Sequence, residues 1–363
     1  MNNILNVTIH VGSNSGSVLQ TYATCYIFKK FGCIVKTLNY IPPRVTWRRY
    51  FRGIHSFKSL LSRLFLFPLK FIERYFIFGR FLKKYCNLTN AYYSLDEVVR
   101  NIPEVDIYMA GSDQLWNSSH NEGIDEVYYY NYLPHSAKRI SFASSIGKES
   151  LSDEEIKIIA PYLKKFSCIS VREKSAKLLF RKMGINNVTQ ILDPTLLMNK
   201  NDWSKLVDKR IVKEKYLLVY IPYNACSKKI IMESAKVISS KYNVKIVSFA
   251  KHYWGDSWAD KNIKLASPTD FLSLFMYADF VLTNSFHGTA FSINLNKQFW
   301  VYNPSQFSTR ISSLLELTGL ENRLLSDKIS DINLKMVIDY TCVNNVLNHE
   351  RERAFSFINR AIN

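Results

Sequence analysis

The stretch Thr283-Asn284-Ser285-Phe286-His287-Gly288-Thr289-Ala290-Phe291-Ser292-Ile293 decides how this chain reads. Before it, Tyr277-Ala278-Asp279-Phe280-Val281-Leu282 has the length and apolar character of a buried strand. After it, Ala290 to Leu295 reads as a short helix packed on a sheet. The turn between them holds a histidine, a glycine and small hydroxyl residues. In open α/β sheets, ligands bind at the carboxyl ends of strands. There the N–H groups that open the next helix point at a bound anion. Gly288 would let that anion approach the backbone closely. The same residues also read as a plain capped turn, with Asn284 or Ser285 as N-cap and His287 satisfied locally.

Around this anchor the chain alternates. Strands are expected at Tyr216–Ile221, Val244–Ala250, Asp279–Leu282 and Phe299–Tyr302, with helices at Lys228–Tyr242, Thr269–Ala278 and Thr309–Leu317 between and after them. The first half repeats the pattern. Strand Ile4–His10 leads through a small-residue loop carrying Asn14 and Gly16 into a helix, Val18–Phe31, that stops at Gly32. Further strands are expected at Cys33–Leu38, Glu104–Ala110, Arg139–Ser144, Ser167–Val171 and Val188–Leu192. Ser152 with Glu155 forms a capping box for a helix reaching Lys165. Loops carrying Asp113, Ser145 and Arg172 follow strand ends, so parallel strands would set all three on one rim. A β-loop-α-β opening of this kind starts a doubly wound sheet. The chain contains neither G-x-G-x-x-G nor a P-loop, so no nucleotide fingerprint is present.

Pro42 to Cys86 differs in character. Between Arg48 and Lys84 stand ten basic residues against Glu73 alone, half of the chain's +18 in about a tenth of its 363 residues. Phenylalanine and leucine are interleaved with them. That pattern suits helices lying at a membrane surface, or a basic helical excursion packed on its own domain. The overall balance, with pI near 9.5, favours an anionic partner. The six cysteines are scattered, with no C-x-x-C and no ligand spacing, which predicts a reduced, cytoplasmic setting and no metal. The N-terminus reads as a strand and not as a signal peptide, and no run of about 20 apolar residues exists to cross a membrane.

The ordered set of loop motifs resembles the polysaccharide pyruvyl transferase family. It comprises Asn14-x-Gly16 with Leu19-Gln20-x-Tyr22-Ala23, Gly111-Ser112-Asp113-Gln114-x-Trp116-Asn117, Ser141-Phe142-Ala143-Ser144-Ser145-x-Gly147, Ser170-Val171-Arg172-Glu173, Leu192-Asp193-Pro194-Thr195 and Asn284-Ser285-Phe286-His287-Gly288-Thr289. The likeness runs from about Asn6 to Arg323. It implies an α/β fold of two Rossmann-like domains facing across a cleft, glycosyltransferase-B-like. The first domain would be 1–197, with the excursion at 42–86, and the second 198–342, followed by a C-terminal helix at 343–363. It also implies transfer of pyruvate from phosphoenolpyruvate to two hydroxyls of a sugar, in a cell-surface polysaccharide or its lipid-linked precursor.

No cofactor is expected beyond phosphoenolpyruvate as donor. His287, Arg172 and Asp113 are the expected catalytic residues, as acid or phosphate partner, anion fork, and base or sugar ligand. Ser285, Gly288, Thr289, Ser145, Arg310, Asn14 and Gly16 are the expected donor-binding residues. Many members carry arginine where this chain has Ser285, and a glycine triplet where it has Gly111-Ser112-Asp113; Arg310 is the candidate replacement cation. The expected location is cytoplasmic, at the inner face of the membrane beside a lipid-linked oligosaccharide. Two rival readings remain: a nucleotide-sugar-dependent glycosyltransferase of similar fold, and a non-catalytic protein binding anions or membranes. Nucleic acid ranks low, because the polar residues recur at strand ends and not along one stripe.

Overall fold

The computed structural model describes residues 1–52, 54, 56–223, 228–249, 255–303, 309–325 and 334–363. Cys226, Ala250 and Ser308 lie outside the described residues. The chain divides into two compact units, Met1–Pro194 with Arg353–Asn363, and Thr195–Glu352. The division from sequence fell at 197 and set 343–363 apart. The closing helix, Tyr340–Ile362, is shared, its residues from Arg353 on counting with the first unit.

The first unit holds strands β1 (Asn3–Val7), β2 (Ile34–Tyr40), β3 (Leu88–Tyr92), β4 (Ile107–Ala110), β5 (Arg139–Ser144), β6 (Cys168–Val171) and β7 (Val188–Gln190). They form one seven-stranded sheet in the order β3-β2-β1-β4-β5-β6-β7. The second unit holds β8 (Tyr216–Tyr220), β9 (Lys245–Phe249), β10 (Lys261–Ile263), β11 (Phe280–Thr283), β12 (Gln298–Tyr302) and β13 (Leu324–Leu325), in the order β10-β9-β8-β11-β12-β13. Strand pairing among the described residues is parallel throughout. Each sheet therefore reverses its winding once, between β1 and β4 and between β8 and β11. In doubly wound sheets that switch point is where ligands bind.

The strands form where the chain is apolar on both faces, as a sheet covered on both sides requires. Ile4, Leu5 and Val7 of β1 and Leu217, Leu218 and Val281 of the second sheet are fully buried. The three strands absent from the sequence reading are β3, β10 and β13. All lie at the outer part of a sheet, and β3 (Leu-Thr-Asn-Ala-Tyr) and β10 (Lys-Asn-Ile) mix polar residues, so neither shows an apolar run. Two helices start earlier than expected, the first at Ser15 and not Val18, and the one after β11 at Phe286 and not Ala290, because each N-cap lies inside the small-residue loop. Asn14 caps Ser15–Lys30 through Gly16 and Ser17 N–H, and Ser152 and Glu155 close their capping box reciprocally.

The excursion is helical: Trp47–Tyr50, Phe57–Phe71, a wide π-type turn Ile72–Phe78, and Gly79–Tyr85. Its two ends behave differently. Phe78, Phe81, Leu82 and Cys86 are buried, with the Phe81 ring 5.9 Å from Tyr22 on the helix Ser15–Lys30. The helix Phe57–Phe71 buries no residue.

One buried cation tests the first unit's packing. Arg139, at the start of β5, is almost fully enclosed and donates to the carbonyls of Tyr130, Ala137, Leu133 and Pro134 at 2.7–3.1 Å. Burial lowers its pKa, yet these carbonyls hold the charged form in place. Arg139→Leu should cost about 3 kcal/mol or more, because a charge-assisted bond contributes about 1.5–3 kcal/mol and orphaned carbonyls add a penalty. The measurement is a urea midpoint that falls at unchanged m-value.

Candidate active site

In the first unit the loops after three strands, β4, β6 and β7, converge on Arg172, which follows β6. Its guanidinium is fully buried. Nη1 lies 2.6 Å from Asp193 Oδ2 beyond β7 and 3.3 Å from Ser112 Oγ beyond β4. Nη2 lies 3.2 Å from Asp113 Oδ1, and Nε lies 3.9 Å from Glu173 Oε2. Burial alone would lower the pKa of Arg172, but Asp193, Asp113 and Glu173 outweigh it and raise the pKa. The fork expected to seat a substrate anion is thus occupied by the protein's own carboxylates. One cation facing three carboxylates repels a further anion, so Arg172 here is the tie that fixes Asp113 and Asp193.

Asp113 sits beside the β1/β4 switch point. It holds φ +85°, a left-handed conformation that glycine adopts without cost, which fits the glycine triplet to which this loop is similar. An aspartate held there stores about 1–3 kcal/mol of strain. Its Oδ2 accepts from Ser17 Oγ at 2.7 Å, and Oδ1 accepts from Gln114 N at 2.9 Å. Ser17 stands in the first turn of the helix capped by Asn14, so Asn14 and Gly16 shape the same corner. Ser145, expected to bind the donor, is engaged within the protein. Its hydroxyl donates to Glu173 Oε1 at 2.9 Å, as do Ile146 N and Gly147 N.

In the second unit β11 ends at Thr283, and Ser285 caps the helix Phe286–Asn294 by accepting from Gly288 N at 3.3 Å. Ser285 O takes both Thr289 N at 2.9 Å and Thr289 Oγ1 at 3.0 Å. The anion seat expected at the Gly288 and Thr289 N–H groups is therefore filled internally. Gly288 also serves a different purpose than expected: a Cβ there would lie 2.3 Å from Thr283 Oγ1, so it lets the helix pack on its own strand. His287 is buried. The Phe286 ring lies 5.2 Å from the His287 ring, and the Arg310 guanidinium lies 5.5 Å from the same Phe286 ring. Arg310 enters from the first turn of the next helix, Thr309–Thr318, and brings a cation to a turn whose own position 285 is serine.

The polysaccharide pyruvyl transferase family matches residues 14–306. The chain belongs to this family. It is accordingly a transferase, and the matched span includes every expected site residue except Arg310, whose assignment rests on its place beside Phe286. No curated protein matches the chain by sequence. Among solved structures, a Listeria monocytogenes protein assigned as a UDP-N-acetylglucosamine 2-epimerase is similar at TM-score 0.54 and 8% identity, over 98% of this chain and 90% of that chain. UDP-GlcNAc 2-epimerase from Neisseria meningitidis, bound to UDP-GlcNAc, is similar at TM-score 0.52 and 11% identity, over 97% and 94%. The Methanocaldococcus jannaschii enzyme in complex with UDP-GlcNAc and UDP reaches TM-score 0.50 at 13% identity, over 99% of both chains. At such identities the likeness shows the fold alone, a glycosyltransferase-B-like pair of α/β domains.

The structure also brings forward residues the sequence reading passed over. Asp193 and Glu173 stood inside quoted motifs, but nothing in their spacing showed that they would close on Arg172. His10, just beyond β1, bonds Thr8 O at 3.0 Å and Asn39 Oδ1 at 3.2 Å; burial pushes its pKa below the ordinary histidine value, and Arg74 adds to the effect. Tyr220, at the end of β8, is in register with Thr283. Burial raises its phenol pKa while a hydrogen bond to Ser285 opposes the rise.

The close packing of Gly288 gives a test. Gly288→Ala should destabilise the protein by about 1–3 kcal/mol through overpacking. Thr283→Ala removes the clashing atom, so the double variant should be more stable than the two single effects added together. Thermal or urea melts of the four proteins in the cycle would measure that coupling.

Proposed function

We propose that this family member transfers pyruvate from phosphoenolpyruvate to two hydroxyls of one sugar, forming a cyclic ketal and releasing phosphate. One observation carries the reading: His287 and Arg310, two groups able to hold positive charge, flank a single phenyl ring at the β8/β11 switch point. Phosphoenolpyruvate presents a phosphate and a carboxylate on a small frame. A guanidinium suits either anion. A proton from His287 to the methylene carbon turns that carbon into a methyl group and makes the enol carbon electrophilic. The first sugar hydroxyl then adds to that carbon, and its proton restores the acid. The second hydroxyl displaces phosphate, which leaves with the remaining proton. In the first unit Asp113, held by Arg172 and Ser17, is the candidate ligand for a hydroxyl of the acceptor sugar.

The acceptor is a sugar of a surface polysaccharide, such as a capsule or exopolysaccharide, or of its lipid-linked precursor. A carrier lipid would require the protein to work at a membrane surface. Among the described residues, no helix is long and apolar enough to cross a membrane. The excursion supplies a different means. Phe57, Leu61, Leu64 and Phe65 are half or more exposed, and Phe71, Ile72, Tyr75 and Phe76 extend the exposed set. Their spacing of three and four residues puts them on one side of a continuous helical path. Such a stripe, flanked by lysine and arginine, suits insertion to the depth of the headgroups.

Two experiments test these readings separately. His287→Ala should lower kcat for phosphate release from phosphoenolpyruvate by about 10²–10⁴, the usual cost of a lost general acid, with donor affinity changed less. Turnover near that of wild type would make His287 a packing residue and remove the mechanism. For the membrane, the protein should co-sediment with anionic vesicles and be released in part by salt, since each nearby cation contributes about 1 kcal/mol. Phe57→Ser/Leu61→Ser/Phe65→Ser should weaken that binding about tenfold or more with helix content unchanged. Equal binding of variant and wild type would refute the stripe.

A further inference from the structure

On the excursion's other side lies a cavity of about 620 Å³. It is lined by Arg44, Arg49, Arg52, Arg63, Lys70 and Arg74, and among the described residues no carboxylate lines it. Arg63, Lys70 and Arg74 recur seven and four residues apart, which sets them on one helical face. By the same periodicity that face is turned away from the exposed stripe that contains Phe57, Leu61 and Phe65.

These cations are held by built contacts. Arg74 Nη1 donates to Val45 O at 2.5 Å, and its guanidinium lies 5.4 Å from the Trp47 ring. Arg63 Nη1 donates to the carbonyls of Tyr50 and Arg52. Lys70 Nζ and the Arg63 guanidinium lie 5.6 and 5.9 Å from the Tyr50 ring. Arg49 is paired with Glu122 at 3.0 Å on the exposed side, and Arg44 acts on the Asp125 carboxylate through space. Arg44 Nη1 is buried with no hydrogen-bond partner among the described residues. Six like charges round one cavity cost free energy through mutual repulsion. An anion inside would remove that cost and satisfy the Arg44 donor.

Gly12 and Ser13 complete the wall. They lead directly into the 16-residue helix Ser15–Lys30, so its positive end adds to the potential. Ser17, about one helical turn on, holds Asp113.

We propose that this cavity is a binding site for a diphosphate group. Six cations exceed what one phosphate can engage, and guanidinium forks pair with phosphate oxygens two at a time. The diphosphate can belong to a polyprenyl carrier in the membrane or to a soluble nucleoside diphosphate. The site is distinct from the Ser285–His287 turn and its donor chemistry, so it is tested without phosphoenolpyruvate.

The experiment is calorimetric titration of the full chain with inorganic pyrophosphate, orthophosphate and sulfate at several salt concentrations. Pyrophosphate should bind at least about tenfold tighter than orthophosphate, and more weakly as salt rises. Arg44→Gln and Lys70→Gln should each weaken it about tenfold, the loss expected for one charge-assisted contact. Without ligand, Lys70→Gln should not melt lower than wild type, because it relieves repulsion. Lys261→Gln, at the edge of the second sheet, should bind as wild type does. Competition by uridine diphosphate or by vesicles carrying a polyprenyl diphosphate then identifies the source. Pyrophosphate binding no tighter than orthophosphate, unchanged affinity in both cavity variants, or competition by neither diphosphate would overturn the proposal.

Discussion

The buried guanidinium of Arg172 joins the carboxyl ends of β4, β6 and β7 in the first unit. Parallel strands alone bring those ends to one rim, and their loops would otherwise be separate. Through Ser112, Asp113, Glu173 and Asp193, one planar cation sets the loop positions. Desolvating such a charge is expensive, and its partners repay the cost only with close geometry; removing one side of such a pair typically costs about 3–5 kcal/mol. Glu173 carries the constraint outward, since one of its oxygens collects three donors from Ser145, Ile146 and Gly147. The left-handed Asp113 persists because this network over-determines it.

The second unit reaches a similar arrangement without ions. Thr283 Oγ1 donates to Tyr220 O across the switch point, Ser285 caps the helix, and Thr289 returns to Ser285. Asn284 pins the Tyr223 backbone through both its amide nitrogen and its oxygen. These hydroxyl and amide bonds hold the turn without an ion pair of its own, and Arg310 reaches the Phe286 ring beside it. The two rims thus differ in sign: carboxylates surround Asp113, while groups able to carry positive charge flank Phe286.

The excursion adds a third chemistry. Its later part is anchored by aromatic packing against the helix Ser15–Lys30, with Tyr22 meeting both Phe81 and Tyr85. Its earlier part leaves phenylalanine and leucine in solvent and gathers cations behind them. Such a division has a cost in water, where exposed apolar surface and crowded like charges are both unfavourable. The same division is favourable where an apolar phase meets an anion.

Much of this was legible in the chain. Apolar runs of strand length, the Ser152 capping box, a cap at Asn284 or Ser285, and the order of polar loops follow local rules, so they determined an α/β fold wound twice and placed Asp113, Arg172 and His287 at strand ends. The amphipathic period of the excursion likewise showed an unusual basic, aromatic segment. Edge strands β3 and β10 were hidden because partial exposure mixes polar residues into them, and β13 because two residues carry no period. Only the tertiary structure decided the partners. Arg172 meets Asp193 twenty-one residues on and Asp113 fifty-nine residues back; Arg310 reaches Phe286 from another helix; Gly288 is small for Thr283 and not for a ligand. A residue's type and local pattern fix what bonds it can make, whereas the crossovers of a parallel sheet fix which distant group fills them.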